Sequence, residues 1–239
     1  MPENIDGHGA VSRFVDARHN SGAWALVLLI LVAVCINFIS DRLTIFRLLP
    51  QQALAHQSLY SEIWAAANAV LLSAVAALWI ANKTGLMRRL VLLANALFTA
   101  QLFVAVVLIV VRLAQSVKIS VGHLILDAVM IFIANILVFA LWYWFIDSET
   151  ERSRAPPVPE PWDFLFPQRQ ASYPGYAAWT PHFVDYLFLA YTTSVAFSPT
   201  DTLPLSGVAK TLMMLQSAIA LIAITAVAGT AINLLAGSA

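Results

Sequence analysis

Long apolar runs separated by short polar segments make up most of this chain. A helix that crosses the hydrocarbon core of a bilayer, about 30 Å thick, needs about 20 mainly apolar residues. Runs of roughly that length occupy 22–40, 59–81, 90–113, 122–146 and 208–235. The pattern therefore predicts five transmembrane helices, and the short connections between the first four predict that consecutive helices are antiparallel neighbours.

The composition agrees with a chain whose main solvent is lipid. Hydrophobic residues make up 60% of the 239 residues and charged residues 11%, and the mean hydropathy is +0.79. Soluble domains are usually about 25% charged. The basic and acidic residues balance at 13 each, so charge provides no basis for binding nucleic acid. The single cysteine, Cys35, excludes an intramolecular disulfide and a cysteine-bound metal cluster within this sequence.

Residues 147–181 form a long segment that the apolar pattern leaves outside the membrane. The segment begins with acidic residues and then combines several prolines with the aromatic residues Phe164, Phe166, Tyr173, Tyr176 and Trp179. Prolines at this density disfavour a regular helix or a central strand. Because aromatic residues are rare in disordered linkers, we predict a structured cap that lies on the membrane surface.

The chain after this cap has the pattern of a re-entrant loop. Thr180 and Pro181 predict the start of a helix, since threonine caps helices and proline is favoured at the first helical position. The apolar residues 182–195 are too few to cross a bilayer, and residues 196–206 are irregular, with two prolines. Irregular backbone at membrane depth is tolerated only where it is buried in protein or lines a water-filled path. The sequence therefore predicts a pathway or a packed pocket at 192–201.

An aromatic-rich helix, a threonine pair, an aspartate, a proline and a basic residue follow one another between 185 and 221. These positions are Tyr186, Phe188, Tyr191, Thr192, Thr193, Asp201, Pro204 and Lys210. In this order they resemble the pore region of the potassium-channel-like, tetrameric pore-loop ion-channel superfamily. The resemblance implies an outer helix at 122–146, an inner helix at 207–236 and four copies of the chain around one pore.

The predicted fold class is an all-α integral membrane protein, with five transmembrane helices plus a re-entrant pore helix and a filter-like loop before the last span. The first span is long enough to cross a bilayer and no cleavage site follows it, so we expect it to remain uncleaved. The predicted regions are a polar tail (1–21), a three-span region (22–121) and a pore-like module (122–239). The module would comprise the outer helix 122–146, the surface cap 147–181, the pore helix and loop 182–206, and the inner helix 207–236.

The filter differs from the superfamily pattern at its centre. Where relatives have glycine, tyrosine and glycine, this chain has Ser198, Pro199 and Thr200. Glycine accepts the backbone angles of a potassium filter, whereas proline holds φ at about −65° and removes a donor. We therefore expect a filter that is not of the potassium type. Its candidate residues are Thr192, Thr193, Ser194, Val195, Ala196, Phe197, Ser198, Pro199, Thr200 and Asp201.

Two explanations of the polar residues in this loop remain open. Hydroxyl groups of threonine and serine can replace the hydration oxygens of an ion, and four Asp201 carboxylates would attract cations to the mouth. The carboxyl end of the pore helix would favour cations at the same place. Alternatively, the hydroxyls only satisfy the buried backbone of the loop, and Asp201 caps the turn before Pro204.

Several polar residues lie inside the predicted spans. His123 and Asp127 are four residues apart on one face of the fourth span. They could relay protons or sense pH, because histidine titrates near neutrality; alternatively they form a satisfied polar contact near the interface. Hydrogen bonds between helices are the expected role of Glu62, Asn68, Asn95 and Gln101.

The sequence thus predicts a homotetrameric, cation-conducting pore-loop channel with the filter sequence SVAFSPTD. Its expected partners are monovalent cations and the lipid bilayer of the plasma (inner) membrane, with no nucleic acid, cofactor, metal or enzymatic activity. A non-conducting membrane scaffold or interaction protein that reuses the channel fold is the alternative. The distribution of basic residues favours a cytoplasmic filter loop, whereas the resemblance places the loop outside, and we follow the resemblance.

Overall fold

The computed structural model describes residues 27–37, 57–114, 121–152, 162–170, 179–198 and 201–237. Within these ranges the chain is helical apart from one two-stranded antiparallel sheet. The helices are α1 (Val27–Asn37), α2 (Gln57–Ile80), α3 (Thr84–Ala114), α4 (Val121–Arg152), α5 (Pro167–Gln170), α6 (Phe183–Ala196) and α7 (Gly207–Gly237). The strands are β1 (Phe164–Leu165) and β2 (Leu203–Pro204).

Three helices are long and apolar enough to cross a membrane. They contain the spans Gly85–Val111, Ile125–Asp147 and Gly207–Thr225. These spans confirm the predicted third, fourth and last transmembrane helices, and the chain is an integral membrane protein. Shorter apolar helices occupy Val27–Asn37, Ala65–Ile80 and Phe183–Ala196. The first predicted span, 22–40, extends beyond the described residues on both sides, and the full count of five stays a prediction.

Helix α4 lies at the centre of the packing. It contacts α3, α6 and α7, and the consecutive residues Val138, Phe139, Ala140 and Leu141 are fully buried. Four consecutive buried residues cover every face of a helix, so α4 is surrounded by protein at this level. Helix α3, by contrast, leaves apolar side chains uncovered at Leu93, Leu97, Phe103, Val104, Val107 and Val110. An apolar outer surface of this kind suits contact with lipid.

Polar side chains join the helices at buried positions. The Asn68 amide donates to Asn37 Oδ1 at 2.9 Å and links α2 to α1. The Asn95 amide donates to the Val138 carbonyl at 3.1 Å and links α3 to α4. The predicted interhelical hydrogen bonds are therefore confirmed for Asn68 and Asn95. Trp142 Nε1 adds a further α4–α3 bond, to Thr99 Oγ1 at 2.9 Å.

The predicted cap differs from its expected boundaries. Helix α4 continues to Arg152, so the acidic residues from Asp147 onward extend the outer helix instead of opening the cap. The described parts of the cap after α4 are 162–170 and 179–181. The first contains β1 and α5, and it packs on the helices through the buried rings of Phe164 and Phe166. The other predicted cap residues, 153–161 and 171–178, lie outside the described residues.

The connection between α2 and α3 is a tight turn with a left-handed residue. Asn82 has φ of 54°, and the amides of Asn82 and Lys83 donate to the carbonyls of Trp79 and Leu78, respectively, at 3.1 and 3.0 Å. This pair of bonds is the Schellman arrangement, which satisfies two carbonyls at the end of a helix. The turn makes α2 and α3 antiparallel neighbours, as their short connection predicted.

We expect Asn82→Val to lower the free energy of unfolding by about 1–2 kcal/mol, because a β-branched residue is disfavoured in the left-handed region. Asn82→Gly is the matched control and should leave stability unchanged or raise it, since glycine adopts this conformation without strain. Thermal unfolding in detergent micelles measures both variants. Equal stability of the wild type and Asn82→Val would contradict the left-handed turn.

Candidate functional site

Helix α6 corresponds to the predicted pore helix, and it begins later than the sequence indicated. Its first residue is Phe183, and its N-cap is His182, whose backbone has φ of −96° and ψ of 166°. The prediction of Thr180 as the cap and Pro181 as the first helical residue is wrong. The backbone N–H of His182 donates to Asp185 Oδ2 at 2.7 Å, so a carboxylate in the first turn satisfies the start of the helix.

Helix α6 ends at Ala196, immediately before the segment that departs from the superfamily pattern. The helix has 14 residues, and at 1.5 Å per residue it is about 21 Å long, shorter than a bilayer core. Phe197 then adopts a left-handed conformation, with φ of 54° and ψ of 20°, and stops the helix. The short helix followed by irregular backbone is the local structure that the sequence predicted here. Pro199 and Thr200 lie outside the described residues.

The predicted filter residues fall into a buried group and an exposed group. Thr192, Thr193 and Ser194 are buried within the last turns of α6. Thr193 Oγ1 donates to the Leu189 carbonyl at 2.7 Å, and Thr192 Oγ1 is 3.0 Å from the same carbonyl. Such bonds to the preceding turn are common for helical threonines. Val195, Ala196, Phe197, Ser198 and Asp201 are exposed on the surface of the single chain.

Ser194 belongs to a buried polar cluster that joins three helices. Gln216 Nε2 in α7 donates to Ser194 Oγ at 2.8 Å and to the Ala190 carbonyl at 2.7 Å. Asn135 Nδ2 in α4 is 3.3 Å from both Ser194 Oγ and the Gln216 carbonyl. The Tyr143 hydroxyl donates to Gln216 Oε1. These contacts fix the carboxyl end of α6 between α4 and α7.

Gln216 and Tyr143 are central to this cluster, and the sequence analysis missed both. A glutamine inside the apolar run of α7 is a signal in itself, because polar groups in a span usually have a partner. Tyr143 lies in a run of aromatic residues at the end of the 122–146 span, and aromatic residues at such a place often lie at the membrane interface. Its hydroxyl instead points inward, and nothing in one sequence pairs it with a residue 73 positions away.

The backbone that leaves the loop is held by the cap. Strands β1 and β2 pair antiparallel, with Phe164 opposite Pro204 and Leu165 opposite Leu203. The Leu205 amide donates to the Asp163 carbonyl at 2.8 Å and extends the pairing. Helix α7 then starts with Ser206 as its cap, since Ser206 Oγ accepts from the Ala209 amide at 3.1 Å.

Asp201, the predicted mouth carboxylate, lies just before this pairing. Its side chain is exposed, and its Oδ1 is 3.4 Å from the hydroxyl of the buried Thr202. The side chain therefore stays in contact with solvent while the next residue is anchored. An exposed carboxylate can attract cations. The alternative role of Asp201, capping the turn before Pro204, stays a prediction.

A second buried cluster surrounds Asp147 at the end of the Ile125–Asp147 span. Its carboxylate and the side chain of Arg169 are 0% and 5% exposed, and the closest oxygen–nitrogen distance is 3.2 Å. The hydroxyl of Tyr186 in α6 donates to Asp147 Oδ2 at 2.6 Å. The backbone amides of Asp163 and Phe164 donate to Oδ1 at 3.2 and 3.3 Å. The sequence analysis assigned Asp147 to the acidic opening of the cap and missed this cluster.

The predicted proton-relay or pH-sensing pair is described only in part. Asp127 is buried in α4, and its neighbour one turn earlier, His123, has a helical backbone but a side chain outside the described part. The pairing of His123 and Asp127 therefore stays a prediction. Among the described residues, no group of three or more His, Cys, Asp or Glu side chains is arranged to hold a metal ion.

The uncovered surface of α6 is apolar and lies on one face. Val184, Phe188, Tyr191 and Val195 are 66%, 54%, 50% and 49% exposed, respectively. Their spacing of four, three and four residues places them along a single stripe of the helix. The adjacent helix α7 also exposes apolar side chains at Val208, Met214, Leu215, Leu221, Ile222 and Ile224. A single chain thus leaves this face of α6, and apolar side chains of the neighbouring α7, uncovered.

No protein-family model matches this chain, and neither curated proteins nor solved structures provide a significant match. Any functional proposal therefore rests on the contacts and solvent exposure of the described residues.

We expect Gln216→Leu to lower the free energy of unfolding by about 1–3 kcal/mol, because it leaves the buried Tyr143 hydroxyl without its acceptor. Adding Tyr143→Phe should restore part of the loss, since both partners are then apolar. Met214→Leu, at an exposed position of the same helix, is the control and should have little effect. Thermal unfolding in nanodiscs measures the wild type, Gln216→Leu, Tyr143→Phe, the double variant and Met214→Leu. If the double variant is less stable than Gln216→Leu by as much as Tyr143→Phe is less stable than the wild type, the two side chains act independently.

Proposed function

We propose that this chain is the subunit of a homotetrameric pore-loop ion channel that conducts cations through a filter of non-potassium type. The observation that carries the proposal is the short helix α6, which packs between α4 and α7 and ends directly before irregular backbone. In a membrane protein such backbone must be buried in protein or line an aqueous path. An outer helix, a short helix and an inner helix in this order match the expected pore module.

The electrostatics of the loop favour cations over anions. The carboxyl end of α6 carries the partial negative charge of the helix dipole, and the last four carbonyls of a helix lack partners within it. The last of these carbonyls, from Ser194 to Phe197, directly precede or adjoin Ser198 in the chain and would supply oxygen ligands there. Asp201 adds a full negative charge on the exposed side of the loop. Four copies would make a ring of carboxylates that raises the local concentration of cations.

The ligands in this proposal come mainly from backbone carbonyls and from Ser198, Thr200 and Asp201. Thr192 and Thr193 donate their hydroxyl protons to carbonyls in α6, so they support the helix end from inside. Val195 and Phe197 are exposed and would line the path or the contact between subunits. A proline at position 199 is incompatible with a stack of glycine-based carbonyl rings. We therefore propose permeation by monovalent cations without the potassium-type filter.

The fourfold assembly in this proposal is supported by the apolar stripe on α6 and the exposed face of α7. One chain cannot enclose a pore with a loop that lies on its own surface, whereas four copies around an axis can. Contact between copies would cover Phe188, Tyr191 and the exposed residues of α7. We place the assembly in the plasma (inner) membrane, as a channel without enzymatic activity.

A second candidate is a non-conducting membrane scaffold that keeps the same helices. The observation that favours it is the internal bonding of the predicted filter hydroxyls. Ser194 receives hydrogen bonds from Gln216 and Asn135, and Thr192 and Thr193 bond to their own helix. These side chains satisfy polar groups inside one chain, which is the structural role that the sequence left open.

Single-channel recording of the purified protein in planar bilayers separates the two candidates. If Asp201 carboxylates line the mouth, Asp201→Asn should lower unitary cation conductance at low salt. At 1 M salt, with a Debye length of about 3 Å, screening should remove most of the difference. Glu62→Gln, the same loss of charge at an exposed site in α2, is the control and should leave conductance unchanged. Absence of current from the reconstituted tetramer would favour the scaffold.

The assembly is tested by placing one polar group on each of two exposed apolar surfaces. Phe188→Gln on α6 and Phe103→Gln on α3 change side chains that are 54% and 50% exposed. Both variants place an amide in an apolar environment, so the free energies of inserting them into the membrane should change by similar amounts. We expect Phe188→Gln to shift the protein from tetramer toward monomer in native mass spectrometry, while Phe103→Gln remains tetrameric. Monomeric wild-type protein in nanodiscs would overturn the proposed channel.

A further inference from the structure

The irregular segment after α6 has two arms, and both lead to the same carboxylate. The arriving arm is α6 itself, and the leaving arm is β2 with the residues around it. The residues around the two arms connect them: Asp147 contacts α6 directly and is linked to β2 through β1.

The arriving arm is attached through Tyr186. This residue is 1% exposed in the first half of α6, and its hydroxyl donates to Asp147 Oδ2 at 2.6 Å. The ring of Phe166 meets the ring of Tyr186 edge-on, with centroids 5.5 Å apart and an interplanar angle of 87°. Ring packing and the hydrogen bond together set the position of α6 along and around its axis relative to α4.

The leaving arm is attached through β1. The other oxygen of Asp147 accepts from the backbone amides of Asp163 and Phe164, at 3.2 and 3.3 Å. Phe164 pairs with Pro204 in β2, and the Asp163 carbonyl accepts from the Leu205 amide at 2.8 Å. The carboxylate therefore positions a strand that in turn positions the backbone directly after the loop.

Arg169 completes the cluster and places its guanidinium beside the buried carboxylate. Its Nη1 is 3.2 Å from Asp147 Oδ2 and donates to the Phe164 carbonyl at 2.8 Å. Its guanidinium carbon lies 4.9 Å from the centre of the Trp162 ring. A buried ion pair often stabilises a protein no more than apolar side chains of the same size would. Some buried pairs instead favour one packing arrangement of the surrounding elements over others. Here the arrangement that is specified is the junction of α4, α6 and β1.

We infer that Asp147 is a positioning residue for the loop: its two oxygens tie the arriving and leaving arms to the end of α4 and so set the width of the path between them. The statement about loop geometry stands on the contacts alone, and the statement about permeation rests on the proposed function. Asp147 does not touch the permeating ion. It acts through Tyr186 on one side and through β1 and β2 on the other.

Hydrogen–deuterium exchange of the full-length protein in nanodiscs tests the geometry without requiring current. In Asp147→Asn, peptides covering 162–170 and 201–206 should exchange about tenfold faster, the effect of weakening hydrogen bonds to a charged group. Peptides from α3 should be unchanged. Asp185→Asn is the matched control, because its carboxylate bonds the start of its own helix at His182 and should leave both segments unchanged. Unchanged exchange over 201–206 in folded Asp147→Asn would overturn the inference.

Tyr186→Phe provides a milder variant, which removes one hydroxyl and no charge. We expect it to accelerate exchange in peptides at the end of α6 while 162–170 remains protected. In recordings it should change unitary conductance or reversal potential at both low and 1 M salt, because its effect is not electrostatic. If Tyr186 only stabilises the fold, Tyr186→Phe should reduce the number of channels and leave unitary conductance and reversal potential unaltered. That result would overturn the positioning role in permeation.

The two readouts separate failure of this inference from failure of the proposed function. Absence of current from the wild type together with faster exchange in Asp147→Asn would reject the channel and retain the link between the two arms. Wild-type current with exchange and conductance unchanged in both variants would retain the channel and reject the role of Asp147.

Discussion

The position of α6 depends on its polar contacts with α4. A helix of 14 residues is too short to be held by spanning the bilayer, and one of its faces is uncovered in the single chain. Hydrophobic packing alone does not determine depth in a membrane, because lipid tails are as apolar as leucine. Hydrogen bonds have fixed partners and therefore define a depth. Helix α4 supplies them at two levels, through Asn135 and Tyr143 in the middle and through Asp147 at the end of its span.

The two levels have different chemistry, and each suits its surroundings. The inner cluster is made of neutral groups, with Gln216 bridging Ser194 and Tyr143 deep among apolar side chains. Neutral hydrogen bonds avoid the large cost of burying a charge there. The outer cluster contains the ion pair of Asp147 and Arg169, next to the cap. Hydrogen bonds to charged groups are stronger than neutral ones, and the backbone amides of Asp163 and Phe164 donate two of them to Asp147.

The sequence predicted the elements better than the contacts, for a physical reason. Run length and composition identify helices such as α3, α4 and α7, because a span must be long and apolar. The short α6 followed by irregular backbone was also predictable, but its start was misplaced, since Asp185 competes as a capping group with Thr180. The partners of Asp147 and Gln216 were not predictable. Their hydrogen bonds reach residues 39 and 73 positions away, and a single sequence contains no information on which distant polar groups meet.

This loop has a proline within the segment that corresponds to a glycine-based filter, and the residues that follow the loop are fixed by pairing with β1. A glycine-rich segment has high conformational freedom, which the surrounding protein must remove; proline lowers that freedom in the chain itself. Pro204 lacks an amide hydrogen, yet it sits in β2 opposite Phe164, and the neighbouring Leu205 amide makes the bond to Asp163. A proline is tolerated there because a two-stranded sheet has an open edge. The loop thus combines restricted backbone at Pro199 and Pro204 with an external attachment through β1. Such a loop has less backbone freedom than a glycine-rich one, and its exposed carboxylate, Asp201, lies just before the residues that pair with β1.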